Sequence, residues 1–103
     1  MYSQNDLSII INNFVKLISD EYPLDKVYLF GSYASGKADD NSDIDLALVS
    51  KNFKGNRFLD SVELGKYVIK SSVDIEVHPF STENFTEEDP FISEIIRTGI
   101  KIV

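Results

Sequence analysis

The chain has 103 residues, which suffices for one core but leaves no room for a second large lobe, so residues 1–103 are expected to form one domain. Zero cysteines exclude disulfides and thiolate metal sites, and a single histidine, His78, argues against a histidine-rich zinc site. A net charge of −7 with only ten Lys and Arg argues against an extended nucleic-acid surface, and solubility is its plainest meaning.

No run of eighteen apolar residues occurs and the first six residues lack a basic leader, so a cytoplasmic protein with no membrane partner is expected. Leu7, Ile10, Ile11, Phe14, Val15 and Ile18 recur at helical spacing, predicting an amphipathic helix over 5–21 capped by Asn5 or Asp6. Residues 27–30 are apolar, partly β-branched and aromatic, and end at Gly31, which reads as a short buried strand. Gly31-Ser32 permits close backbone approach, and Tyr33-Ala34-Ser35 can begin a short helix whose free N–H groups face a phosphate, ending at Gly36. Residues 37–41 are polar and turn-prone. Asp39 and Asp40 read as solvated loop residues, and Ser42 either fastens the loop or contacts a phosphate.

Residues 43–49 read as a second strand. Side chains alternate across it, so Asp43 and Asp45 share one face, roughly 6 to 7 Å apart. Two carboxylates at the mouth of an apolar strand call for an offsetting charge, and magnesium, with its preference for carboxylates, water and substrate phosphates, answers that economically. If the two strands run antiparallel, the end of the first and the start of the second meet at one sheet edge, which sets phosphate donors beside metal ligands.

After a basic connector carrying Lys51, Lys54 and Arg57, the residues Phe58, Leu59, Val62, Val68 and Ile69 mark a second helix to about residue 70, weakened by Gly65. Residues 73–77 alternate as a third strand with Val73, Ile75 and Val77 toward the core and Asp74, Glu76 and His78 opposite. A strand–helix–strand crossover places the second and third strands parallel, which brings Asp74 toward Asp43 and Asp45. A lone histidine at a strand end reads as structural. A helix over 90–97, ended by Gly99, and a short strand or tail over 100–103 complete the chain.

Gly31-Ser32, ten intervening residues and Asp43-x-Asp45 resemble the signature of the DNA polymerase beta-like nucleotidyltransferase superfamily. The variant Gly-Ser-Tyr-Ala-Ser-Gly…Ser-Asp-Ile-Asp-Leu is similar to its minimal nucleotidyltransferase (MNT) members, encoded beside HEPN-domain proteins. The resemblance implies a single α/β domain with a mixed sheet of three or four strands and helices packed on it. It implies Gly31 and Ser32 as phosphate-binding residues, beside which Ser42 is a further candidate by position, and Asp43, Asp45 and a later-strand acid as the metal cluster. Asp74 and Glu76 both stand for that acid, with Asp74 slightly preferred by position. The implied activity moves a nucleoside monophosphate, AMP from ATP, with two magnesium ions, to a hydroxyl on a HEPN partner in a toxin–antitoxin pair. An aminoglycoside-type small-molecule acceptor, a catalytically idle module that neutralises its partner by binding, and a cation site that only stabilises the fold are the rivals. A homo-oligomer is compatible with all of them.

Overall fold

The computed structural model describes residues 1–103, in the order α1 (Gln4–Ile18), β1 (Lys26–Phe30), α2 (Ser32–Ser35), β2 (Ile44–Ser50), α3 (Arg57–Ser71), β3 (Ile75–Ser81), α4 (Pro90–Thr98) and β4 (Ile100–Lys101). The four strands form one mixed sheet ordered β3-β2-β1-β4, in which β1 runs antiparallel to β2 and β4 while β3 runs parallel to β2. The domain is therefore the α/β architecture expected from the sequence. β3 holds Pro79, which an edge strand tolerates because it lacks a partner on one side.

Each sheet face builds its own core. Val27, Leu29, Ile44, Leu46, Leu48 and Ile75 join Leu7, Ile11, Phe14 and Ile18 of α1 and Leu64 of α3. On the other face Tyr28, Ala47, Val49 and Phe80 pack with Phe85 and with Ile92 and Ile95 of α4. Even Ser50 at the end of β2 is fully buried, so β2 is the spine of the domain.

Several boundaries differ from the sequence expectation. The N-cap of α1 is Ser3, whose Oγ accepts from the Asp6 N–H, rather than Asn5 or Asp6. β2 begins at Ile44, leaving Asp43 just outside it, and β3 begins at Ile75, so Val73 is 78% exposed instead of core-facing. The register explains this: Ile44 pairs with Ile75 as the first rung, with the Ile44 N–H donating to the Asp74 carbonyl at 2.8 Å. In α3 the buried residues are Asp60 and Leu64, whereas Phe58, Leu59, Val62 and Ile69 face solvent.

Candidate functional site

Asp45 lies on β2 beside Phe30 of β1 on one side and Glu76 of β3 on the other, because those residues are register partners. All three point to the face away from α1 and α3. His78, two residues along β3, shares that face by alternation. Ligand atoms of Asp45, Glu76 and His78 lie within 4.8 Å of one another.

Their exposures differ. The side chains of Asp45 and His78 are 21% and 16% exposed, while Glu76 is 56% exposed and opens to solvent. Burial raises the Asp45 carboxyl; the hydrogen bond with Glu76 opposes that, and the charge of Asp43 adds to it. Glu76 is raised in turn, first by its hydrogen bond with Asp45 and then by burial. Both carboxyls of the pair are therefore held above the usual carboxylate range. A cation would discharge that tension, and two carboxylates in reach of each other are oxygen donors of the kind magnesium takes.

Burial holds His78 below the usual imidazole range, with Arg57 reinforcing the effect and Glu76 opposing it, so the ring is neutral at pH 7. Its Nε2 is 3.3 Å from Asp45 Oδ1, and its Nδ1 is 3.1 Å from the Arg57 guanidinium. A guanidinium only donates, which makes Nδ1 the acceptor and Nε2–H the donor to Asp45. Arg57 also stacks over Phe80 at 4.8 Å and Phe91 at 5.2 Å, and Phe91 meets Phe30 edge-on. The chain Arg57–His78–Asp45 thus fixes one carboxylate between aromatic walls. The sequence hint for His78 was its place two residues after Glu76; nothing local indicated Arg57 as its partner.

Gly31 adopts φ 76°, ψ −151°, and a Cβ there would lie 2.3 Å from Asp45 Oδ2. Only glycine fits this bend, which brings main chain directly against the carboxylate. Ser32 opens α2, Gly36 closes it in the left-handed conformation, and a cavity of about 390 Å³ beside the bend is lined by Gly31, Ser32, Ser35, Phe91 and Thr98. A more apolar cavity of about 380 Å³, lined by Tyr2, Leu7, Ile11, Leu29 and Tyr33, lies on the α1 face, away from the carboxylates.

The remaining sequence candidates divide. Asp43 is exposed at the entry to β2, close enough for its charge to act on both Asp45 and Glu76. Asp74 precedes β3, and its carboxylate accepts from the Tyr2 hydroxyl. Ser42 fastens the loop: its Oγ accepts from the Asp39 N–H at 2.9 Å and donates to Asp39 Oδ1 at 3.2 Å. Asp40 pairs with the N-terminal ammonium at 2.5 Å. Of the connector cations, Arg57 is the one in contact with the cluster.

The nucleotidyltransferase domain family model matches residues 11–102. A Methanocaldococcus jannaschii protein, provisionally named a protein adenylyltransferase, is 30% identical over 70 residues, 68% of this chain and 70% of its own length. Protein adenylyltransferase MntA of Shewanella oneidensis is 44% identical over 46 residues, 44% of this chain but only 33% of that relative. A crystallised toxin–antitoxin complex with AMP-PNP superposes with a TM-score of 0.61 at 26% identity, covering 89% of this chain and 71% of the other.

Proposed function

This chain belongs to the nucleotidyltransferase domain family and is an enzyme of that class, and from that premise we propose that it transfers AMP from ATP to a hydroxyl of a partner protein. The observation that carries the proposal is the Asp45–Glu76 pair, with Asp43 beside it, set against a bend that only Gly31 can form. Relatives named as protein adenylyltransferases, and a similar chain in a toxin–antitoxin complex with AMP-PNP, support a protein acceptor. By the motif resemblance that acceptor is a HEPN-domain toxin, and this chain is its antitoxin.

Asp43 and Asp45 would hold magnesium, with Glu76 completing the set in place of Asp74, which Tyr2 occupies. When bound, the ion would neutralise the triphosphate and acidify the acceptor hydroxyl. Gly31 and Ser32 would receive phosphate oxygens from the cavity they line beside the bend. His78 and Arg57 keep the Asp45 carboxylate aimed. Glu76, more exposed than Asp45, takes the proton as the acceptor oxygen bonds to the α-phosphorus and the bond to pyrophosphate breaks.

The test incubates the chain with α-labelled ATP, magnesium and the HEPN protein encoded beside it. Label is expected on the HEPN protein and is expected to vanish with Asp43→Ala plus Asp45→Ala. An unlabelled yet fully neutralised HEPN protein would refute the enzyme and favour neutralisation by binding alone.

A further inference from the structure

Helix α3 carries apolar residues on two opposite faces. Its inner face packs Leu64, Tyr67 and Val68 against the α1-side core. The outer face exposes Phe58 (74%), Leu59 (55%), Val62 (61%) and Ile69 (77%), followed by Val73 (78%) just past the helix end. At helical spacing Phe58, Val62 and Ile69 fall within about 40° of one another, so they form one stripe, with Val73 exposed just beyond the helix end. Together the five leave roughly 600 Å² of apolar surface, the upper end of what a monomer's largest patch exposes.

The centre of the stripe reads the same from both ends. Within α3, Val62 and Ile69 are equidistant from a midpoint between Gly65 and Lys66. A glycine inside a helix is unfavourable relative to alanine. Yet a Cβ at Gly65 would meet nothing within 4 Å, so no neighbour inside the chain demands one. What a bare midpoint allows is close approach of another helix. Lys66 does not obstruct it, since its Nζ is drawn away to Glu21 at 3.6 Å and over the Tyr67 ring at 5.1 Å.

We propose that this stripe is an isologous interface with a second copy of the chain, the two α3 helices crossing antiparallel about a two-fold axis between Gly65 and Lys66. In that arrangement Val62 of each copy meets Ile69 of the other, with Phe58 at the rim, which is the self-complementarity a two-fold interface requires. The flanks agree in charge: Glu63 of one copy lies on the same side as Lys70 of the other, and symmetry supplies the pair twice. Stripe and flanks together approach the ~800 Å² per partner of a stable interface. Asp45 and Glu76 lie on the opposite sheet face, so the dimer leaves them open, and the proposal holds or fails independently of the catalytic reading.

Sedimentation equilibrium of the full chain across the micromolar range is expected to give twice the 11.6 kDa chain mass, falling to the monomer in Val62→Glu plus Ile69→Glu. A wild type that stays monomeric throughout overturns the proposal, as does a dimer that survives both glutamates. Because the glutamate variant could fail to fold, Val62→Cys plus Ile69→Cys provides a second test in a chain without native cysteine. Seven helical residues span about 10 Å, too far for an internal disulfide, so oxidation is expected to yield a covalent dimer. The pair Ile9→Cys plus Leu17→Cys, exposed on α1, is expected to give none. Equal cross-linking of the two pairs overturns the interface. A monomer whose glutamate variant loses the HEPN protein also overturns it and assigns the stripe to that partner.

Discussion

Gly31→Ala tests how tightly the bend and the carboxylate are fitted together. The native φ 76°, ψ −151° lies in a region that is essentially glycine's alone, which costs a side-chain-bearing residue about 1–3 kcal/mol. The new Cβ also meets Asp45 Oδ2 at 2.3 Å and Cγ at 3.2 Å, so either bend or carboxylate must move. With the clash included the loss is about 3 kcal/mol, and at 4–8 °C per kcal/mol for a domain of this size the melting temperature falls by about 15 °C. Combining it with Asp45→Ala separates the causes. That truncation leaves only the Asp45 Cβ, at an ordinary 3.4 Å, so the double variant retains the backbone strain and loses the clash. The two changes should couple by about 1 kcal/mol in the favourable direction. Thermal unfolding of the four proteins without magnesium measures this. A Gly31→Ala protein that melts like wild type, or strict additivity in the cycle, would refute the packing argument.

Three further outcomes follow from the site and its supports. Asp45→Asn should raise stability without magnesium while reducing transfer at least ~100-fold, as measured by melting and by label incorporation. Its sign in pH is fixed: Asp45 and Glu76 bind protons more tightly folded than unfolded, so stability falls as pH rises from the usual carboxylate range through their raised values. The Asp45→Asn variant should flatten that slope, and magnesium should stabilise wild type more at pH 8 than at pH 5. Glu76→Gln should abolish labelling, whereas Asp74→Asn should leave at least ~30% of it, because Asp74 is engaged with Tyr2; the reverse ranking in initial rates would restore Asp74 to the cluster. Asp60→Ala should cost about 2 kcal/mol in denaturant unfolding, since its 5%-exposed carboxylate accepts the Lys54 and Gly55 N–H groups at 3.1 and 3.2 Å.

What the chain order alone decides is local. The spacing from Leu7 to Ile18 makes a helix with one buried face, the apolar runs around β1 and β2 make central strands, and Gly31-Ser32 with Asp43-x-Asp45 places a glycine bend before an acidic strand entry. Those depend on neighbours a few residues apart, and periodicity reports them. The third acid is different in kind. Alternation puts Glu76 and His78 on one side of β3, with Asp74 just before the strand, but which of them sits beside Asp45 is a matter of register between strands about 30 residues apart, set when Ile75 docks against Ile44 in the core. The same tertiary step carries the start of α3 across β3, so that Arg57 reaches His78 and the pair braces Asp45. It also decides which side of α3 is covered: both faces are apolar enough to be buried, and docking on α1 and β3 consumes only the one around Leu64. Composition and spacing name the candidate groups, while strand register and helix rotation, which depend on the whole core at once, choose which of them meet.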